Sequence, residues 1–305
     1  MEINKKPETT TVSCAFVNLF DKSLIYTAGW PISRFIKTIK TAGYTGLEWH
    51  PMRGIYSGIQ MQMGLIADAD KTSITSLHQS YRSEKNILES WQHPNRNLAL
   101  LSYFLLPERV SSLNDLLRVQ KVVGKQLPAV LYPTKDNEFS GTSLPFSEKL
   151  FQPTPEVMAD WSTNNLDEFI MQSRRLGYTG ICLDLFHIRA KNIGHLGFNP
   201  WENTLQTLFE LDRVPELHLA AARSDMGTSH IDTIKELQSL LDPTQDSEII
   251  RMLQSIRDFG WKGNIVTEIP ATVLNQISSS GRFLSTSKLI DNHKRIVDRV
   301  KNILN

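Results

Sequence analysis

Short apolar runs alternate along this chain with longer segments in which apolar positions recur at helical spacing. The short runs are Val12 to Val17, Gly46 to His50, Ser73 to His78, Pro128 to Tyr132, Lys149 to Gln152, Gly180 to Asp184, Glu216 to Ala220 and Asn264 to Glu268. The helix-like segments are Ile32 to Thr41, Asn97 to Leu106, Leu113 to Val123, Leu166 to Arg175, Pro200 to Leu211, Ile231 to Leu241, Glu248 to Phe259 and Ser287 to Leu304. Strand-then-helix alternation over 305 residues predicts a (β/α)8 TIM barrel. A parallel sheet wrapped by helices buries both faces of its strands, which accounts for runs that are apolar nearly throughout. A doubly wound open sheet is the competing architecture. No Gly-x-Gly-x-x-Gly follows the first strand, which weakens its dinucleotide-binding form.

An internal echo points to a repeated unit. Gly43-Tyr-Thr-Gly46-Leu-Glu-Trp-His50 matches Gly177-Tyr-Thr-Gly180-Ile-Cys-Leu-Asp184. Each copy follows a helix-like segment, and its first glycine is placed as a helix C-cap before a turn into a strand. Side chains alternate along a strand, so Glu48 shares a face with His50 and Cys182 with Asp184. The weakest unit is the fifth. Between Tyr132 and Lys149 the composition is that of a loop, so one barrel helix is expected to be missing or reduced to a turn. No linker divides the chain, and residues 1–305 read as a single barrel domain with a polar N-terminal tail over about residues 1–10.

Composition narrows the picture. Apolar residues make up 40% and charged residues 21%, enough for a sizeable core. A net charge of +1 argues against a strongly electrostatic nucleic-acid binder. The two cysteines, Cys14 and Cys182, lie in apolar strand-like runs and read as buried free thiols. No apolar run approaches the length of a membrane span, and the polar start lacks a signal-peptide core. A soluble cytoplasmic protein is therefore expected, with homo-oligomerisation left open.

Several strands finish on a side chain that can bind a metal or move a proton. Glu48 and His50 end the second and His78 the third. Asp184 ends the sixth, with His187 just beyond, and Glu268 ends the eighth. His218 sits in the seventh, and His230 follows it by a loop. In a closed barrel these ends converge on one mouth, where such folds build their sites. Imidazole nitrogen with carboxylate oxygen suits Zn²⁺, Mn²⁺ or Fe²⁺, and more carboxylate and water would suit Mg²⁺. Taken singly, a strand histidine is more often a hydrogen-bonded core residue, and a terminal aspartate more often a helix cap. Asp184, His218 and Glu268, however, end three consecutive strands, and burying them unpaired is costly. A metal or polar catalytic centre on those three is the expectation. Arg82 and Arg223 are candidates to hold a phosphate or carboxylate. His93, His195 and His293 read as solvent-facing.

The ordered series Gly-Tyr-Thr-Gly-Leu-Glu (43–48), Ser-Leu-His-Gln-Ser-Tyr (76–81), Cys-Leu-Asp-Leu-Phe-His (182–187), His-Leu (218–219) and Val-Thr-Glu (266–268) resembles the xylose isomerase-like barrel superfamily, from about residue 12 to the end. That group includes sugar-phosphate isomerases and epimerases, inosose dehydratases and the endonuclease IV type of abasic-site nuclease. The resemblance implies a divalent metal (Mn, Zn or Mg) on Asp184, His218 and Glu268, the last three of four positions on the fifth to eighth strands. Gln152 stands at the first, a neutral amide where those enzymes carry glutamate. It further implies proton transfer by Glu268, with His187 and His78 binding hydroxyls or relaying protons. Glu48, His50, Arg82, Gln152, Arg223 and His230 would surround a small sugar, polyol or sugar phosphate that reacts through an enediolate-type intermediate. An abasic-site nuclease is the first alternative, with His78, His187 and His230 on plausible zinc positions. Tyr132, Gln152 and Thr228 break that cluster, and the near-neutral charge fits a DNA backbone poorly. The second alternative is a non-catalytic barrel with a degenerate metal site, for which Gln152 and Tyr132 speak.

Overall fold

The computed structural model describes residues 9–15, 37, 39–50, 73–79, 113–131, 144–152, 166–185, 201–210, 214–220, 230–242, 244–269 and 286–305. Its strands are β1 (Thr11–Ala15), β2 (Gly46–Trp49), β3 (Ile74–His78), β4 (Ala129–Leu131), β5 (Lys149–Phe151), β6 (Gly180–Asp184), β7 (Glu216–Ala220) and β8 (Asn264–Glu268). They pair in parallel, in sequence order, and close into a barrel. The seam runs from Thr11 opposite Asn264 to Cys14 opposite Thr267. An open doubly wound sheet has no such seam, so the (β/α)8 reading holds. The helices are α1 (Leu113–Val123), α2 (Leu166–Arg175), α3 (Trp201–Glu210), α4 (His230–Leu241), α5 (Glu248–Asp258) and α6 (Thr286–Leu304). The segment 97–106 lies outside the described residues, as does most of the β4–β5 connection where a reduced helix is expected. Among the described residues no helix is long and apolar enough to cross a membrane.

The echoed glycines perform the turn that their spacing predicts. Gly43 and Gly177 adopt φ of 88° and 83°, a region that side chains with a Cβ avoid. The amide of Tyr44 donates to the Ile39 carbonyl and that of Tyr178 to Ser173, the six-to-one bond of a Schellman cap. Gly260 repeats the device, with Trp261 donating to Ile256. β2, β6 and β8 are thus each launched by the same helix ending.

Alternation along the strands sorts the chain into two environments. Leu47, Trp49, Leu217 and Ile265 face outward and join one apolar cluster with helix residues such as Leu253 and Ile296. Inside, Val130, Leu150 and Cys182 make a small separate apolar cluster. Much of the remaining interior is polar. At its N-terminal end Thr75 Oγ1 donates to Ser13 Oγ (3.0 Å), Ser13 Oγ donates to Asn264 Oδ1 (2.8 Å), and Asn264 Nδ2 donates to Glu216 Oε2 (2.8 Å). A cavity of about 310 Å³ opens at that end among Thr11, Thr75, Lys125, Glu148, Glu216 and Asn264.

His293 corrects the sequence reading, which placed it in solvent. It is 2% exposed, and the Tyr44 hydroxyl lies 2.8 Å from its Nδ1. The reason is helical period: His293 falls on the buried face of α6 with Leu289, Ile296, Val297 and Val300. Thr267 Oγ1 donates to the same hydroxyl, leaving its proton to point at Nδ1. Burial pushes the imidazole pKa down from 6.5 to about 4. The native state therefore resists a proton that the unfolded chain accepts, so stability from this group is present above the unfolded pKa and lost as pH falls toward the folded one. Between pH 6.5 and 4 the loss amounts to about 3 kcal/mol from this residue. Urea denaturation at several pH values should show a shallower slope across that window in His293→Gln; an unchanged slope would show that His293 is not the group responsible.

Candidate active site

The C-terminal ends of the strands bring a buried set of imidazoles and carboxylates to one mouth. His218, in β7, is fully buried and lies at its centre. Its Nε2 lies 3.1 Å from Glu48 Oε2, and its Nδ1 lies 3.7 Å from Glu268 Oε2. Glu48 Oε1 lies 2.7 Å from His50 Nε2, and the same nitrogen stands 3.6 Å from Glu268 Oε1. His50 stacks on His78 with ring centroids 4.4 Å apart. His78 Nε2 donates to Gln152 Oε1 (2.9 Å), while the Gln152 amide nitrogen stands 3.3 Å from His218 Nδ1. Asp184 is directly opposite His218 in the β6–β7 register and is 2% exposed.

Electrostatics distribute the protons among these groups. Burial opposes charge on Glu48, yet His218, His78 and His50 outweigh it and hold the carboxyl well below the usual range. Glu268 also resists burial through His218 and is held down at about 2. Burial disfavours the imidazolium of His218, but neighbouring Cys182, Glu48 and Glu268 hold its pKa well above the usual value. His78 goes the other way, pushed down to about 4 by burial and by His50. The carboxylates thus favour the protonated form of His218, while burial and His50 favour the neutral form of His78.

Of the residues singled out in the sequence, Glu48, His50, His78, Gln152, His218 and Glu268 lie in this one network. Two sets of donor atoms within it, Glu48–His78–His218 and Glu48–His50–Glu268, are close enough to share a cation. Asp184 joins neither set, although its register places it beside His218. His187, Arg82 and Arg223 lie outside the described residues, and His230 is seen only as the first residue of α4. Sequence reasoning missed Glu216, whose Oε1 stands 3.5 Å from His218 Nε2. The signal was available: Glu216 precedes His218 by two positions and must share its face.

No protein-family model matches the chain, and no curated protein matches it by sequence. Solved structures do share its fold. A D-psicose 3-epimerase from Clostridium cellulolyticum, solved with D-tagatose, superposes with a TM-score of 0.53 at 13% identity, covering 97% of this chain and 100% of that one. A D-psicose 3-epimerase solved in the presence of D-fructose gives 0.54 at 10% identity, with 97% and 99% covered. A xylose isomerase domain-containing protein from Salmonella typhimurium gives 0.51 at 12% identity, with 98% and 99% covered. What the chain shares with them is the fold, a closed barrel of eight parallel strands with helices between.

Removing one partner of a buried ion pair leaves the other charge uncompensated. Glu48→Gln should therefore destabilise the metal-free protein by about 3 kcal/mol, read from urea denaturation. A variant as stable as the parent would show that the Glu48–His218 contact holds no charge pair.

Proposed function

We propose that the chain is a divalent-metal-dependent isomerase, or a related epimerase or lyase, acting on a small sugar, polyol or sugar phosphate through an enediolate-type intermediate. One observation carries the reading. Carboxylate and imidazole donors from strands far apart in sequence meet at the carboxyl end of the barrel, with His218 Nδ1 3.7 Å from Glu268 Oε2 and Asp184 across the ladder from His218. The sugar epimerases that share the fold support it by analogy.

The residues fit a divalent ion in their chemistry. Asp184, His218 and Glu268 would hold it, and Gln152 offers a neutral carbonyl oxygen as a further donor. Carboxylate oxygen with one imidazole suits Mn²⁺, Mg²⁺ or Zn²⁺. When bound, the ion supplies Lewis acidity that polarises a substrate carbonyl and offsets charge on adjacent oxygens.

The chain's own groups account for the proton. The Glu268 carboxylate takes a proton from the carbon beside the carbonyl. The C–H electron pair becomes the new C=C bond, and the carbonyl pair moves onto oxygen. Return of that proton to the former carbonyl carbon, with the hydroxyl proton passing from the neighbouring oxygen to the former carbonyl oxygen as the new C=O forms, completes an aldose–ketose isomerisation. Gln152 has no group that titrates, so that position offers no second base for exchange across the opposite face. One-base isomerisation is therefore better supported than two-carboxylate epimerisation. His50, 3.6 Å from Glu268, orients that carboxylate, and His78 fixes the Gln152 amide by donating to it.

A second reading keeps a specific observation on its side. The Gln152 amide bridges His78 and His218, which fills the centre with a neutral, satisfied group and suits a non-catalytic barrel. Metal analysis and proton exchange decide between the two. The parent protein, reconstituted with Mn²⁺, Mg²⁺ or Zn²⁺, should exchange carbon-bound protons of some member of a panel of aldoses, ketoses, inositols and their phosphates in deuterated water. Asp184→Ala should lose the mouth ion and at least about 100-fold in exchange rate. Undiminished metal in that variant overturns the ligand assignment, and a parent that neither binds metal nor exchanges protons leaves the non-catalytic reading.

A further inference from the structure

Beneath the mouth, three buried polar atoms converge in ion-pair contact but with no aligned hydrogen bond: Glu48 Oε2, Glu216 Oε1 and His218 Nε2. The imidazole nitrogen is 3.1 Å from the first oxygen and 3.5 Å from the second. Each of these residues is at most 1% exposed. Buried polar atoms that make no hydrogen bond are rare and call for an explanation. Cys182 joins them from β6. Its Sγ, a Glu216 oxygen and a His218 nitrogen all lie within 4.8 Å of one another.

We propose that Cys182 Sγ, Glu216 Oε1 and His218 Nε2, with Glu48 Oε2 as a further donor, form a second cation site inside the barrel, suited to a thiophilic divalent ion of the zinc type. The spacing supports it. Two nitrogen or oxygen donors at ordinary zinc distances in a tetrahedron lie about 3.3 Å apart, and the observed separations of 3.1 and 3.5 Å bracket that value. The donor set supports it too, because thiolate beside imidazole and carboxylate selects zinc or its softer analogues over magnesium. Cys182 packs with Val130 and Leu150, and that burial pushes its thiol pKa up, so the thiolate forms only as a cation displaces the proton. A cavity lies on the side away from the mouth. Glu216 lines the 310 Å³ cavity at the N-terminal end, together with Glu148 and Asn264.

Binding displaces the Cys182 thiol proton and the proton on His218 Nε2 to solvent and involves no redox change. The imidazole presents Nε2 to Glu48 and Glu216 and Nδ1 to Glu268 at the mouth. The inner site does not depend on the mouth ion or on the proposed reaction.

Co²⁺ titration of the chelator-stripped, full-length protein tests it. Sulfur ligation gives a thiolate-to-cobalt charge-transfer absorption in the near ultraviolet, which ligands from Asp184 and Glu268 cannot produce. The parent should show this absorption, saturating at one ion per chain. Cys182→Ser should abolish it, and Glu216→Gln should weaken the Co²⁺ affinity that it reports by at least about tenfold. Cys14→Ser and Asp184→Ala should keep it. If Cys182→Ser does not fold, Glu216→Gln decides alone. A folded parent without the absorption shows that protons, not a cation, join the three atoms and overturns the proposal, as does an absorption that disappears with Cys14. An Asp184→Ala protein that keeps every ion would sink the mouth assignment and leave the inner one standing.

Discussion

A fully buried imidazole held between carboxylates from three strands sets the terms for the whole barrel. His218 cannot be charged inside protein unless Glu48 and Glu268 stand beside it, and those carboxylates are equally costly without it. The group therefore acts as a register lock. A slip of β2 by one residue would exchange Glu48 for Leu47 or Trp49 and leave an uncompensated charge in the interior. Each closing strand is specified by what its neighbours must neutralise.

The cost of that polar interior is offset outside the sheet. Outward-facing residues such as Leu47, Trp49, Leu217 and Ile265 build the continuous apolar layer under the helices. Area-proportional burial there supplies most of the driving force. Among the described residues, Val130, Leu150 and Cys182 form one small apolar cluster inside the barrel, where many barrels of this class use layers of branched aliphatics. Stability and chemistry are thus placed on opposite faces of the same strands.

Much of this was legible in the residues because both periods are short. Alternation identified the inward set of Glu48 and His50, and the paired glycines marked two of the three Schellman turns. Partner choice was not legible. Nothing in the residues around Glu48 names His218 as its partner, 170 positions away, yet the two meet at 3.1 Å. Barrel closure, which no local pattern encodes, makes that contact. His293 was misread for a different reason: one polar residue in a charged helix looks like surface until its phase is counted against Leu289 and Ile296. Asp184, by contrast, was placed next to His218 by strand order alone.

The seam adds a consequence in time. Thr11 and Ser13 leave the ribosome long before the amide that ties them, which belongs to Asn264, 253 positions after Thr11. A nascent chain can assemble early βα units, but it cannot set His218 beside Glu48 until the seventh strand has emerged, nor close the edges of the sheet until the eighth has. Such an order of synthesis exposes unpaired strand edges for most of translation, which makes the growing polypeptide a natural client for holding chaperones.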